Sequence, residues 1–348
     1  MNRPDEAQRT EQVRFERRGA AGVVILDRPK AINSLTLAMV RAMIAQLQQW
    51  RTDDEVALVA ITGAGEKGLC AGGDVVAMRA GVLAGGRGRA EAMEFWEREY
   101  DLDALIAHYP KPVVAFMDGA TMGGGIGIAG HASHRLVTER SKIAMPETII
   151  GFFPDVGGLH LLAQAPGEIG THLALTGATI TGADAVAVGI ADVLVHSTRL
   201  PQVLEDLAGG QAPALAELGS TGHPAPILAQ RTWIDACYAG DDPVAILSRL
   251  RDYDGEEAEQ AHEAAALIES RSPFSVSVTL RAIRNARRFA NLDAVLEQDR
   301  VLARAFADEP DFREGVRALL VDKDKNPTWR HASLSEVPTA EVDAAFVR

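Results

Sequence analysis

The stretch GATMGGGIGIAG, residues 119–130, decides how the rest of the chain is interpreted. It follows an apolar run, KPVVAFMDG at 111–119, which predicts a buried strand. Gly125–Gly130 matches the G-x-G-x-x-G pattern of dinucleotide-binding turns. Residues 119–124 separate that pattern from the strand, however, and the acid expected after it, Glu147, does not end an apolar strand. Because glycines this dense produce the pattern easily, the match is weak evidence for a dinucleotide site.

Such glycines also suit an oxyanion hole, in which backbone N–H groups stabilise negative charge on a carbonyl oxygen. One donor is seldom enough, and a second glycine-rich turn, CAGGD at 70–74, also follows a predicted strand, VALVAITGAG at 56–65. Turns from neighbouring strands could direct their N–H groups at one oxygen. The alternative is that the glycines only allow a strand and a helix to pack closely. Taken alone, the glycines leave both interpretations open.

Composition limits the class of protein. The 348 residues can bury a full core, and 47% hydrophobic with 24% charged residues is ordinary for a soluble protein. No apolar run approaches the ~20 residues of a membrane-spanning helix, and the N-terminus lacks the apolar region of a secretory signal. A net charge of −13 argues against a nucleic-acid partner, and two cysteines are too few for a disulfide framework or a zinc site. We expect a cytoplasmic protein with no membrane or nucleic-acid partner and no metal.

Strands alternate with helices through the first half of the chain, which predicts an α/β domain. A hairpin comes first, followed by a helix capped by Ser34 or Thr36. The glycine-rich stretch 79–90 has the composition of a mobile lid, and 210–226 that of a flexible connection. The predicted divisions are an N-terminal tail (1–12), an α/β core (13–209), a helical C-terminal region (227–330) and a C-terminal tail (331–348).

Several long motifs occur together and in order, and their combination resembles the crotonase (enoyl-CoA hydratase/isomerase) superfamily. They are DRPKAINSL (27–35), GLCAGGD (68–74), GATMGGGIGIAGHASHRLVTERSKIAMPETIIGFFPDVGG (119–158) and LALTGATITGADAVAVGIAD (173–192). The resemblance implies a spiral of ββα units followed by a helical C-terminal region. It also implies that two backbone N–H groups, at Ala71 and Gly124, hold the oxygen of a coenzyme A (CoA) thioester.

The branch of the superfamily is indicated by three positions. Hydratases carry two glutamates around the substrate; the second aligns with Glu147, whereas the first falls at Gly127, which has no side chain. Asp155 stands where hydratases usually have glycine. This exchange resembles the branch that hydrolyses 3-hydroxyisobutyryl-CoA. The same branch is indicated by EREYDLD (97–103), SPFSVSVTLRAI (272–283) and DFREGVRALLVDKDKNPTW (311–329).

The resemblance implies roles for three acids. Glu147 would attack the thioester to form an anhydride, or would deprotonate water. Asp155 would bind the substrate 3-hydroxyl and orient water; the alternative is that it only caps a helix beginning at 156–158. Glu99 would contact substrate; the alternative is a solvated acid on a helix face.

Basic residues are candidates for the CoA tail. Arg28 and Lys30 match the family segment that lies along the CoA nucleotide, although each could be a solvated turn charge. Lys323 and Lys325 are weaker candidates of the same kind. Cys70 lacks a paired base, which favours a buried thiol over a nucleophile.

The expected function is hydrolysis of a short branched 3-hydroxyacyl-CoA in valine breakdown. CoA enters as part of the acyl-CoA substrate, and no separate cofactor is expected. The alternatives are a hydratase or isomerase with an atypical base set, and a non-catalytic acyl-CoA-binding protein of the same fold. A homo-oligomer is possible.

Overall fold

The apolar runs of the first half form parallel strands, and most of the remaining chain is helical. The computed structural model describes residues 11–211, 215–219 and 222–347. Most of the predicted tail 1–12 and part of the predicted connection 210–226 lie outside these ranges. The strands are β1 (Val13–Arg18), β2 (Ala21–Leu26), β3 (Leu58–Gly63), β4 (Gly68–Cys70), β5 (Val113–Met117), β6 (Ala120–Met122), β7 (His134–Val137), β8 (Lys142–Ala144), β9 (Ile180–Thr181) and β10 (Val193–Leu194).

Helices connect the strands and make up most of the C-terminal region. They are α1 (Leu37–Arg51), α2 (Val75–Ala84), α3 (Gly86–Ala107), α4 (Gly124–Gly130), α5 (Gly158–Ala163), α6 (Ile169–Thr176), α7 (Gly182–Ala187), α8 (Leu200–Asp206), α9 (Leu215–Leu218), α10 (Pro226–Ala229), α11 (Arg231–Cys237), α12 (Pro243–Asp252), α13 (Ala258–Glu269), α14 (Pro273–Ala286), α15 (Leu292–Asp308), α16 (Pro310–Val316) and α17 (Thr339–Ala345). A short π-helix, Arg317–Val321, follows α16.

The chain divides into two compact units that do not follow its linear order. Unit 1 comprises residues 1–74, 97–143 and 181–224; unit 2 comprises 75–96, 144–180 and 225–348. Segments of the first half therefore fold with the C-terminal helices. The predicted boundary between an α/β core (13–209) and a helical C-terminal region (227–330) remains a prediction.

Unit 1 is built on a six-stranded sheet of order β1-β2-β3-β5-β7-β10. The β1–β2 pair is the predicted antiparallel hairpin, and the other pairs are parallel. Buried aliphatic side chains of the sheet, such as Val23, Leu58 and Val114, pack with Val203 and Leu207. The predicted helix after the hairpin is α1. Thr36 caps its N-terminus, because the Thr36 hydroxyl accepts the Met39 N–H at 3.3 Å. A second sheet has the order β4-β6-β8-β9.

Unit 2 has an aromatic core. Trp96 and Phe152 stack with ring centroids 5.4 Å apart, and Phe152 also contacts Phe306 and Phe312 at 5.3 Å each. The Ser275 hydroxyl donates to the Phe152 carbonyl. The aromatic side chains of the FFPD segment are thus buried among helices α14, α15 and α16, which fixes the chain directly before Asp155.

The stretch predicted as a mobile glycine-rich lid, 79–90, is helical. It contains the end of α2 and the start of α3, joined at Gly85 and Gly86, where φ is 65° and 50°. A methyl group on Gly81 would lie only 2.7 Å from the Gly88 carbonyl oxygen. These glycines therefore allow the two helices to pack closely. Part of the predicted C-terminal tail is also ordered, since it includes α17.

Asn33 anchors the loop after β2 to the end of β3. It is fully buried, with φ at 56°, and its side-chain Oδ1 accepts the Arg28 main-chain N–H at 2.9 Å. Its amide nitrogen donates to Ala64 O and Gly68 O, both at 3.0 Å. Asparagine suits this position because it tolerates left-handed backbone and supplies both a donor and an acceptor.

We predict that Asn33→Ala lowers the free energy of unfolding by about 4–5 kcal/mol, at ~1 kcal/mol for each of the three side-chain hydrogen bonds plus ~1–2 kcal/mol for the left-handed backbone. Asn33→Gly, the control, loses the same bonds without that backbone cost and should be less destabilised. Urea unfolding measures both. Equal stability of Asn33→Ala and the unmodified protein would contradict this role for Asn33.

Candidate active site

The sequence-predicted residues form two groups, one in each unit. In unit 1 the glycine turns 70–74 and 123–125 lie against each other, and Glu99 lies against the second. In unit 2, Glu147 and Asp155 are neighbours.

The two glycine turns of unit 1 are in close contact. A methyl group on Gly125 would lie 2.5 Å from the Cys70 carbonyl oxygen, and one on Gly124 would lie 3.4 Å from the Gly73 nitrogen. A methyl group on Gly72, where φ is 99°, would lie 3.6 Å from the Gly124 nitrogen. Glycine is therefore needed here for close backbone approach, which brings the amides of Gly73 and Gly124 together.

The loop after β2 holds the first turn in shape. Ala71 N–H donates to Ile32 O at 2.9 Å, Leu35 N–H to Gly72 O at 2.8 Å, and Asp74 N–H to Leu35 O at 2.8 Å. This ladder uses the amides of Ala71 and Asp74 and the carbonyl of Gly72. Within residues 11–211, 215–219 and 222–347, neither the Gly73 nor the Gly124 N–H has a hydrogen-bond acceptor.

The prediction that Ala71 supplies an oxyanion donor is therefore wrong in geometry, because the Ala71 N–H is already donated to Ile32 O. The Gly73 amide lies beside Gly124, and it has no acceptor in the described part of the chain. Strand alternation does not separate the two candidates, because residues two apart point to the same side of a paired segment. Only the observed pairing of 32–35 with 71–74 shows that, among the described residues, the Ala71 amide is used and the Gly73 amide is not.

Arg28, predicted to contact the CoA nucleotide, is engaged inside unit 1. Its guanidinium pairs with Asp74 at 3.0 Å and donates to Ser34 O at 2.6 Å. It thereby links the loop to the last residue of the turn. Lys30 is exposed. Lys323 and Lys325 are also exposed, in unit 2, with left-handed backbone.

Glu99 lies beside the second glycine turn. Its side chain is 3% exposed, and a methyl group on Gly124 would overlap its Oε1 atom. The alternative of a solvated acid on a helix face is therefore wrong. Glu99 places a carboxyl group next to the Gly124 backbone.

Cys70, between the turns, is a buried thiol as expected. It is fully buried, and burial is the main reason that its pKa rises to about 12; the nearby charge of Glu99 raises the pKa further. A thiol with this pKa is un-ionised at neutral pH and is a poor nucleophile.

The carboxyl pair of unit 2 is buried and electrostatically coupled. Glu147 begins the 3-10 turn Glu147–Ile150, and its main-chain carbonyl accepts the Phe152 N–H at 3.0 Å. Burial raises the pKa of Glu147 well above its ordinary value, and the negative charge of Asp155 raises it further. Glu147 Oε2 is buried and has no hydrogen-bond partner among the described residues. Once ionised, such a carboxylate is a stronger base than that of an exposed glutamate.

Asp155 does not cap a helix. Helix α5 begins after Gly157, and no side chain caps it. Asp155 is 5% exposed, and its carbonyl oxygen accepts the Gly158 N–H at 2.7 Å. Its carboxyl group is thus not explained by local helix structure.

Asp299 is a third buried carboxyl group near this pair, and it was not singled out from the sequence. Its Oδ2 accepts the Gly157 N–H at 2.8 Å. Burial raises its pKa well above the ordinary value, and the charge of Asp155 raises it further. A signal was present: Asp299 falls on the apolar face of α15 with Val295, Leu302 and Phe306.

Unit 1 also contains a cleft of about 450 Å³, lined in part by Arg18, Asp118, Arg140 and Glu205. None of the predicted site residues lines it. The structure contains no metal-binding group of three or more His, Cys, Asp or Glu side chains within the residues it describes. Over the same residues, every helix is too short or too polar to cross a membrane.

Comparison with known proteins decides the family. The enoyl-CoA hydratase/isomerase family model matches residues 21–346. This chain belongs to the enoyl-CoA hydratase/isomerase family. The crotonase-like α/β fold predicted from the motifs is confirmed.

Curated relatives match almost from end to end. The mitochondrial 3-hydroxyisobutyryl-CoA hydrolase of Rattus norvegicus is 38% identical, over 97% of this chain and 89% of its own length. The Homo sapiens protein of the same name is 36% identical, over 97% and 88%.

Solved structures also match almost from end to end, but they are of enzymes with other names. A carnitinyl-CoA dehydratase from Mycobacterium thermoresistibile is 46% identical, with a TM-score of 0.91 over 97% of both chains. An enoyl-CoA hydratase from Rhodobacter sphaeroides is 37% identical, with a TM-score of 0.90 over 97% of both chains.

We predict that both cysteines are unreactive in the folded protein at pH 8. A pKa of about 12 leaves only about one Cys70 thiol in ten thousand ionised, and Cys237 is 1% exposed with a raised pKa. Reaction with a disulfide reagent should release no chromophore until urea is added, after which both thiols react. Cys70→Ala assigns any early reaction, and rapid modification of folded Cys70 would contradict the description of this thiol.

Proposed function

We propose that this protein hydrolyses the thioester of a short branched 3-hydroxyacyl-CoA, with 3-hydroxyisobutyryl-CoA as its substrate and valine breakdown as its setting. The observation that carries the proposal is the near end-to-end match to relatives bearing that name. The buried pair Glu147 and Asp155 is chemically suited to the reaction. CoA enters as part of the substrate and leaves as the free thiol, so the reaction calls for no separate cofactor.

The second candidate function is hydration or dehydration of a CoA thioester. It is favoured by the similarity to the carnitinyl-CoA dehydratase, which is 46% identical to this chain. Against it stands Gly127, buried within α4 at the position of the first hydratase glutamate. A hydratase needs two acid–base groups around its water, and no side chain at this position can supply the first.

The oxyanion hole of the proposal consists of the Gly73 and Gly124 amides. Both amides lie in one unit, at the contact of two glycine turns, and neither has an acceptor within the described ranges. A thioester oxygen that accepted both hydrogen bonds would be stabilised as it becomes negative, by about 3–4 kcal/mol per donor. In this proposal the ladder through Ala71 preorganises the site but does not itself contact substrate.

Glu147 is the reacting carboxylate of the proposal. In one route it attacks the thioester carbon, the C–S bond breaks, the thiolate is protonated and water opens the resulting anhydride. In the other route it takes a proton from water, whose oxygen attacks the same carbon; the C–S bond then breaks, and the proton passes to the leaving thiolate. Both routes give a carboxylic acid and free CoA, and both require ionised Glu147. Asp155 would bind the 3-hydroxyl or orient water, and Glu99 would contact the acyl group near Gly124.

Lys30 is the remaining candidate from its loop for the anionic CoA tail, because the guanidinium of Arg28 is engaged with Asp74. A cytoplasmic location and a homo-oligomer stay predictions, and the names of the animal relatives place those proteins in mitochondria.

We predict that Glu147→Gln lowers kcat/KM for thiol release from 3-hydroxyisobutyryl-CoA by about 10²–10⁴-fold, since the amide can neither attack nor accept the proton. Asp155→Asn should be less severe because Asn still forms hydrogen bonds. Glu309→Gln is the control, because Glu309 pairs with Arg330 at 3.2 Å and is not part of the carboxyl pair. Absence of thiol release by the unmodified protein, with loss of the enoyl absorbance of crotonyl-CoA, would establish the second candidate instead.

The raised pKa of Glu147 also predicts the pH dependence. Because activity requires the ionised carboxylate, the rate should rise with pH through a value well above the ordinary 4.5 of glutamate. Removing the Asp155 charge takes away one cause of the raised pKa, so the acid limb of Asp155→Asn should move to lower pH. A limb at the ordinary glutamate value in the unmodified enzyme would contradict this electrostatic account.

The two candidate oxyanion donors can be separated by replacing single backbone amides with esters during translation. Glycolic acid at position 73 removes the Gly73 N–H and should lower kcat by about 10²–10³-fold. Lactic acid at position 71 removes the bond to Ile32 O and should lower the free energy of unfolding by ~1 kcal/mol with a much smaller change in kcat. The reverse order of effects on kcat would restore Ala71 as the donor.

A further inference from the structure

The turn that carries Asp155 has an unfavourable backbone. Gly158 N–H donates to Asp155 O at 2.7 Å, and the two residues between them, Val156 and Gly157, have φ of 51° and 68°. Turns with two left-handed central residues normally use Asn, Asp or Gly there. Val156 is β-branched and disfavours this conformation, so contacts outside the turn must hold it.

Asp299 provides such a contact from a rigid element. Its Oδ2 accepts the Gly157 N–H at 2.8 Å, from the middle of α15. The Asp299 side chain is fully buried. Because helix α15 is anchored by its apolar face, the acceptor is fixed in position.

A carboxyl group is an expensive choice at this position. Burying a carboxyl group is unfavourable unless its bonding capacity is met, and Asp299 Oδ1 is buried without a hydrogen-bond partner among the described residues. The charged groups acting on Asp299 are Asp155, which raises its pKa, and Arg300, which lowers it. Stability alone would favour an apolar residue in this core, which points to a role beside Asp155.

We propose that Asp299 is a positioning residue, which holds the 155–158 turn through the Gly157 N–H and thereby fixes the Asp155 carboxyl group beside Glu147. The inference rests on the proposed function, in which Asp155 acts on the substrate. It adds to that function a residue far along the chain that contacts neither substrate nor reacting atoms.

The test compares three variants of the full chain in the thiol-release assay. Asp299→Leu removes the acceptor and should lower kcat on the order of 10²-fold, the cost typical of a misplaced catalytic group. Asp299→Asn keeps an oxygen that can accept the Gly157 N–H and should retain most of the activity. Gln298→Leu is the control: Gln298 is a buried neighbour on α15 that bonds to Asn285 at 3.0 Å, and its loss should affect stability alone.

The pH profile separates positioning from general destabilisation. If Asp155 moves away from Glu147 in Asp299→Leu, it no longer raises the pKa of Glu147, and the acid limb of kcat/KM shifts to lower pH. Asp299→Asn also lacks the Asp299 charge, so an unshifted limb there shows that the charge itself is not the cause. Loss of folded protein would lower the rate equally at every pH.

If Asp299→Leu does not fold, Val156→Gly is added to it, because glycine removes the strain that Asp299 offsets. The double variant should fold and recover part of the activity.

Two results would overturn the inference while leaving the proposed function intact. One is Asp299→Leu, or the double variant, with the kcat and acid limb of Gln298→Leu. The other is Asp299→Asn as inactive as Asp299→Leu, which would show that the carboxyl group is needed rather than the acceptor. Failure of the unmodified protein to release thiol would overturn the proposed function, and the inference with it.

Discussion

The candidate oxyanion hole depends on the hydrogen-bonded ladder between residues 32–35 and 71–74. That ladder consumes the amides of Ala71 and Asp74 and leaves the Gly73 amide beside Gly124 with no acceptor within the described residues. An exposed glycine turn would have many conformations, and its entropy would oppose binding a single oxygen. Pairing with the loop after β2 removes that freedom before substrate arrives. Preorganisation of this kind is what makes backbone donors effective in catalysis.

The carboxyl groups of unit 2, unlike the paired backbone of unit 1, are energetically unfavourable in their buried positions. Glu147, Asp155 and Asp299 are all buried, and the charge of Asp155 raises the pKa of both others. Packing supplies the compensation: Phe152 stacks on Trp96, and Ser275 binds the Phe152 carbonyl. A stable aromatic core thus carries a locally unfavourable site, as is common where a protein performs chemistry.

Much of this could be predicted from the sequence, and the failures have specific physical causes. The hairpin, α1, the strand before the glycines and the helical C-terminal region follow from local periodicity and capping.

Glu147, Asp155 and Glu99 were found through motif resemblance, and their burial agrees with functional rather than solvated roles. The motif resemblance implied Ala71 as a donor because an alignment identifies a segment, whereas only the pairing partner decides which of its amides is used. The stretch 79–90 looked mobile because its glycines suggest freedom, but Gly81 and Gly88 serve close helix packing instead. Asp299 was missed because its partner is 142 positions away in sequence, beyond any local pattern.

The central claim is that this family member cleaves a thioester rather than adding or removing water. The most direct measurement is mass analysis of the products of 3-hydroxyisobutyryl-CoA incubated with the protein in oxygen-18 water. The account predicts free CoA and a hydroxy acid whose carboxyl group carries the heavy oxygen. An enoyl-CoA one water lighter than the substrate, with CoA still attached, would contradict it.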